Sequence, residues 1–327
     1  MVFAAGASQF TNTLLAIIAV LTACGCFLVG INLMSRGFVQ ATLRHNSIFT
    51  RGFASKNRLV CTFSGTFHAA LSQSSDVTTV TLVRLADLGF ITLTQACACV
   101  IGANIGTTIT TFIVSLSALN LTPYFAFLAF IGAIPLLSKK KPLRIFGELV
   151  AGLGILFIGL QLLEANIVNP AFKGLIDTIF SSTMSPVLLL LIGSGLTAIV
   201  QSSSVVTCMV VFLVSANMLP ISSALCLVAG ANIGTCFTSW IASFGSGKTA
   251  RQTAMFHTLF NIVGAAIFMT VMYTPINKPF ISWVEGVRIN AEFKIALFHL
   301  TFNLTAALVM IPLLRPAAWL SKKIVRH

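Results

Sequence analysis

Charge is scarce in this sequence, and negative charge scarcest: Asp and Glu together number seven among 327 residues, and all charged types reach only 8%. An ordinary soluble domain of this length carries about 25%, so there is too little polar surface here to cover a water-soluble globule. A basic stretch ahead of the first apolar run is also lacking, and residues 11–34 are too long for a signal-peptide core, so they read as a retained span. The eight cysteines, among them Cys24, Cys97, Cys99 and Cys226, show no metal-ligand spacing and sit inside apolar segments as small buried residues. No Ser-His-Asp triad or metal set emerges. Gly245-Ser246-Gly247-Lys248-Thr249 falls short of the phosphate-loop spacing and reads as a cytoplasmic turn. Catalysis is therefore not expected, and neither is a cofactor.

What is present is apolar. Hydrophobic residues make up 57% of the chain and mean hydropathy is +0.97. Runs of the roughly 20 apolar residues needed to span a bilayer recur along its length. The formal net charge of +13 does not point to nucleic acid, because Lys and Arg cluster between the hydrophobic runs, as in the cytoplasmic loops of a membrane protein.

The chain repeats itself. Gln73-Ser74-Ser75 returns as Gln201-Ser202-Ser203, and Gly102-Ala103-Asn104-Ile105-Gly106-Thr107 returns as Gly230-Ala231-Asn232-Ile233-Gly234-Thr235. Both motifs recur at one offset, with Gly65 and Gly193, Val77 and Val205, Thr79 and Thr207, and Ile113 and Ile241 in the same register. Two transmembrane repeats follow, 11–138 and 145–273, with a further span at 293–314. Each repeat holds an opening span (11–34; 145–165), a Gln-Ser-Ser segment (59–83; 183–214), a Gly-Ala-Asn-Ile-Gly-Thr run (91–117; 222–243) and a closing span (122–138; 253–273).

Charge orients this arrangement. Arg36, Arg44, Arg51, Lys56 and Arg58 form one basic loop, Lys139, Lys140, Lys141 and Arg144 a second, Lys248 and Arg251 a third, while Arg315, Lys322, Lys323 and Arg326 end the chain. All four groups fall on the cytoplasmic side, residues 45 and 140 included, only if each Gln-Ser-Ser segment enters and leaves the membrane as a re-entrant hairpin. The expectation is an all-α polytopic protein of the cell membrane (the plasma or inner membrane). It has seven full spans, an external N-terminus and a cytoplasmic C-terminus. Three full spans in the first repeat invert the second, as in secondary transporters whose site lies near the midplane.

The motifs suit ions. Irregular backbone at membrane depth is tolerated where it is buried in protein or lines a wet cavity. Glycines flanking Asn104-Ile105 and Asn232-Ile233 predict a helix broken there in each repeat. Freed N–H groups at a half-helix N-terminus bind anions, while carbonyls and Thr hydroxyls bind a hard cation. Gln73, Ser74, Ser75, Gln201, Ser202 and Ser203 add amide and hydroxyl donors without any Lys or Arg. Helix dipoles and a co-bound cation must then balance the anion's charge, which is a physical reason for coupling. For Asn104 and Asn232 a capped or kinked helix end competes with an anion contact. Asp76 stands where the second repeat has Ser204; it either binds a cation or pairs with Arg84. His257 and Asn261, like His299 and Asn303, lie four apart in a His-x-x-Phe-Asn pattern, which serves either helix packing or, through Asn261, the site.

Paired Gln-Ser-Ser motifs, each followed by Gly-Ala-Asn-Ile-Gly-Thr, resemble the sodium/phosphate cotransporter family, type II and its bacterial relatives, over about residues 11–315. The resemblance implies sodium-coupled uptake of inorganic phosphate through inverted repeats. It implies that Gln73, Ser74, Ser75, Gln201, Ser202 and Ser203 contact phosphate, and that Gln201, Ser202, Thr235 and Thr238 hold sodium, with Thr107 and Thr110 as their repeat mates. Asp76 departs from the family's third serine. Ala129 and Ala133 fall where the first repeat would need a His and an Asn, which leaves sodium number open. Some bacterial relatives add a soluble helical domain that this sequence ends too soon to hold. A transporter of another oxyanion or a carboxylate, a passive channel and a non-transporting phosphate sensor are the competing readings.

Overall fold

The computed structural model describes residues 2–42, 51–119, 122–180 and 184–326. Arg44 and residue 45, expected in a cytoplasmic loop, lie outside the described residues, as does residue 183. Among the described residues all regular structure is helical. The helices are α1 (Val2–Thr42), α2 (Arg58–Ser72), α3 (Ser75–Asp87), α4 (Leu93–Ser115), α5 (Thr122–Leu136), α6 (Lys141–Ile167), α7 (Pro170–Ile179), α8 (Pro186–Val200), α9 (Ser203–Ser215), α10 (Ile221–Gly234), α11 (Cys236–Ser243), α12 (Lys248–Tyr273), α13 (Asn277–Gly286), α14 (Ala291–Met310) and α15 (Leu314–Ile324).

Among the described residues six helical stretches are long and apolar enough to cross a membrane: Thr11–Ala41, Leu93–Ser115, Lys141–Ile167, Ile221–Ser243, Lys248–Tyr273 and Ala291–Met310. The seventh expected span, 122–138, forms the 15-residue α5, about 22 Å long at 1.5 Å per residue. Neither Gln-Ser-Ser segment is one continuous helix. Each divides into two short helices, α2 and α3 in one repeat, α8 and α9 in the other, with the motif at the break. In the first, His68 Nδ1 and the Thr78 hydroxyl meet at 2.9 Å across the break, so the chain turns back on itself there.

The expected break at Gly102–Thr107 does not occur: α4 runs through it without interruption. Only the second copy is interrupted, at Thr235 between α10 and α11. The glycines have a different use. A Cβ on Gly102 would overlap the carbonyl oxygen of Thr62, one on Gly106 that of Thr66, and one on Gly65 that of Cys99. Gly230, Gly234 and Gly193 face Leu190, Ser194 and Leu227 in the same way. The missing side chains let α2 lie backbone to backbone against α4, and α8 against α10, as small residues do between membrane helices. α1 and α6 are joined similarly, Gly30 meeting Leu156, Gly152 meeting Met34 and Gly159 meeting Phe27.

The repeats interleave. α3 packs on α11 and α12 of the second repeat, while α9 packs on α4 of the first and on α14. Arg84 Nη1 donates to the Ser246 hydroxyl (3.0 Å), and Gly247 N donates to Asp87 Oδ1 (2.6 Å), which fastens the end of α3 to the turn before α12. Arg84 therefore pairs with that turn rather than with Asp76, and among the described residues Arg144 and Glu148 form the one ion pair.

Candidate transport site

The two breaks have the same construction. Gln73 ends α2 at φ 50°, ψ 28° and Gln201 ends α8 at φ 55°, ψ 31°. This left-handed region favours glycine, and a side-chain-bearing residue held there costs on the order of 1–3 kcal/mol. Glutamine at both tips points to a role for the amide that outweighs that cost. The next residue is extended in both cases (Ser74 φ −149°, Ser202 φ −155°) and caps the following helix. Ser74 Oγ accepts from Val77 N at 3.2 Å and Ser202 Oγ from Val205 N at 3.4 Å. A capping hydroxyl used as acceptor still has its proton to donate. Each tip therefore presents an amide, a hydroxyl donor and the positive end of a helix dipole, a set that suits an anion.

The surroundings of the tips differ. Gln73 is 2% exposed, with Nε2 facing Met34 Sδ at 3.9 Å; its carbonyl accepts from Thr110 Oγ1 at 3.3 Å, and its buried Oε1 has no partner. Gln201 is exposed, Ser202 half-buried and Ser203 buried. Among the described residues no hydrogen bond links Gln201 to Thr235 or Thr238. Thr235 Oγ1 donates instead to Asn232 O at 2.6 Å, and the Thr238 hydroxyl lies beside the Asp76 carboxylate of the other repeat. Thr107 Oγ1 is buried without a partner.

Asn104 and Asn232 are both buried, and each spends its amide on the carbonyl four residues back, Val100 at 2.9 Å and Val228 at 2.8 Å. Asn232 Oδ1 is also occupied, by His299 Nε2 (3.2 Å) and Asn303 Nδ2 (3.4 Å). The one signal of that contact in the sequence is the recurrent His-x-x-Phe-Asn pattern. His299 Nδ1 meets the Thr111 hydroxyl at 2.8 Å, and His257 Nδ1 meets that of Ser239, the repeat mate of Thr111, at 2.7 Å. α14 stands outside the sequence repeat, yet it makes on α4 the contact that α12 makes on α11. α5, which has Ala129 and Ala133 in place of that His and Asn, packs mainly on α6.

A sequence profile described as Na+/Pi-cotransporter matches residues 26–165 and, a second time, residues 166–301. The chain belongs to the Na+/Pi-cotransporter family. It is 28% identical over 294 residues to "Uncharacterized protein YqeW" of Bacillus subtilis, covering 88% of this chain and 91% of the relative. It is 26% identical over 316 residues to "Putative inorganic phosphate export protein YjbB" of Salmonella typhimurium, covering 96% of this chain. The chain spans only 56% of that relative's length. A shorter match, 29% over 165 residues, joins 45% of this chain to 23% of "Sodium-dependent phosphate transport protein 2B" of Rattus norvegicus. No solved structure matches. With six long apolar helices, this member of a transporter family is a multi-pass membrane protein.

Proposed function

We propose that the protein is a sodium-coupled inorganic phosphate symporter of the cell membrane. The observation that carries this reading is the pair of tips, in which a glutamine in the left-handed region is followed by a serine cap, once in each repeat. Phosphate, with four acceptor oxygens, is bound by Gln73, Ser74, Ser75, Gln201, Ser202 and Ser203. Gln201, Ser202, Thr235 and Thr238 hold sodium, with Thr107 and Thr110 at the mated position. Asn104 and Asn232 hold the helices that frame the site. No lysine or arginine lies in either motif, so sodium and the dipoles carry the counter-charge.

The paired helices α2/α3 and α8/α9 are re-entrant hairpins in this proposal. At 15, 13, 15 and 13 residues none reaches the roughly 30 Å of a hydrocarbon core. The second repeat, 145–273, is inverted relative to the first, 11–138, and the C-terminus is cytoplasmic. The short α5 crosses with residues 137 and 138 extending it, and Lys139, Lys140 and Lys141 reach back to the interface.

Names among the relatives include both export and sodium-dependent transport; in a symporter the gradients set the direction. The test is radiolabelled phosphate uptake into proteoliposomes under an inward sodium gradient, compared with an equal potassium gradient. Uptake with sodium alone is expected. Equal uptake in both would replace symport with a channel, and sodium-driven uptake of a different oxyanion or a carboxylate with none of phosphate would move the substrate.

A further inference from the structure

The long apolar helix α14 ends at Met310, and a short turn leads at once into α15 (Leu314–Ile324), which therefore starts at the membrane surface. Three stripes run along α15 at helical spacing. Leu314, Ala318 and Ser321 are buried, and the helix packs on α4 and α12. Gln252 Nε2 of α12 donates to Val325 O at 3.2 Å and fastens its end. Ala317, Leu320 and Ile324 form a second, apolar stripe, in which Leu320 and Ile324 are exposed. Arg315, Trp319 and Lys322 form the third, and all of them are exposed.

The third stripe belongs to a wider patch of positive charge. Lys323 Nζ lies 5.1 Å from the centre of the Trp319 ring. Arg326 Nε donates to Lys323 O at 3.1 Å. Arg58 Nη1 reaches in from the start of α2 to Ile311 O at 3.3 Å, in the turn before α15. No Asp or Glu follows Glu292 in the sequence, and neither α4 nor α12 carries one. Among the described residues none of these cations is in an ion pair. Basic residues beyond a span can serve orientation alone. Here they line one flank of a helix whose other free flank is apolar, with an exposed aromatic ring among them, which is the construction of a helix lying in a membrane interface.

We propose that α15 lies in the membrane interface and that its basic flank binds the headgroups of anionic phospholipids. Leu320 and Ile324 enter the acyl region, Arg315, Lys322 and Lys323 meet lipid phosphates, and Trp319 sits at the boundary between them. Arg58 and Arg326 extend the patch at its two ends. Unpaired positive charge and an anionic surface complement each other, and each cation held there strengthens the contact roughly fivefold. The proposal is independent of what the protein transports.

The experiment places the whole chain in liposomes of phosphatidylcholine and phosphatidylglycerol, with bromine on the acyl chains of one lipid at a time. Brominated chains quench a tryptophan that touches them, and subtracting the Trp319→Phe variant isolates the signal of Trp319. Half-maximal quenching is expected at a mole fraction of brominated phosphatidylglycerol at least about fivefold lower than that of brominated phosphatidylcholine, with the gap narrowing as NaCl rises. The triple substitution Arg315→Gln, Lys322→Gln, Lys323→Gln is expected to bring the two curves together while both lipids still quench. Lys322→Arg combined with Lys323→Arg is expected to keep them apart. Coincident curves in the unsubstituted protein, or a gap that survives the triple substitution, would overturn the headgroup site. Quenching by neither lipid would overturn the placement of α15 in the interface. A gap abolished by millimolar inorganic phosphate at constant ionic strength would overturn the lipid in favour of free phosphate.

Discussion

Gln73 and Gln201 hold a backbone conformation that glycine would take at lower cost, and this separates their structural role from their chemical one. Gln201→Gly keeps the turn and deletes the amide. Its melting temperature is expected to match or exceed the wild type, as about 1 kcal/mol of backbone strain is relieved, while phosphate uptake collapses. Gln201→Ala and Ser202→Ala are expected to lose uptake by roughly 10- to 100-fold or more, since each removes a hydrogen bond to a charged ligand, with membrane insertion unchanged. Wild-type uptake by both would remove Gln201 and Ser202 from the site. These residues were legible in the sequence because they recur in register. The partners of Asn232 were not. His299 and Asn303 lie 67 and 71 residues away, and a single sequence carries no distances. The left-handed turn was also hidden, because glutamine gives no turn signal.

At the scale of helices, Gly102 and Gly106 serve helix contact rather than the break expected of them, while in the second copy the helix is interrupted just after Gly234. A missing Cβ permits an unwound backbone or a close approach of two helices. Which one occurs depends on the neighbour, and the sequence does not name the neighbour. Thr62 and Thr66 lie against α4 at Gly102 and Gly106, where a Cβ would overlap their carbonyl oxygens. Gly102→Ala is expected to destabilise the protein by about 1–3 kcal/mol or more by forcing α2 from α4. Gly25→Ala, where nothing lies within 4 Å, is expected to be neutral or to raise stability by up to about 1 kcal/mol, since alanine is the better helix former. Melting curves of the two purified variants decide this; equal losses would mean that helix contact is not what Gly102 serves.

For the whole molecule, composition was enough to establish a membrane protein, since helix spans need only length and apolarity. The interleaving of the halves was not legible, because it depends on which surfaces meet. The orientation proposed from basic loops is open to direct test. A single cysteine replacing Lys140 or Ser246 in a cysteine-free background is expected to react only with a reagent admitted to the cytoplasm, and one replacing Lys278 with an impermeant reagent applied outside. Labelling of the first two from outside would invert or break the topology.

His299 and Asn303 lie on the last long helix, yet they reach back to Thr111 in the first half and Asn232 in the second. A premature stop before residue 291 would therefore wound the earlier-made parts of the chain, leaving two buried polar groups in different halves without partners. Ribosomes finish α14 only after everything it locks has already been inserted. The nascent protein is expected to remain sensitive to protease until α14 arrives, and a separately supplied C-terminal fragment from residue 291 to the end is expected to restore resistance.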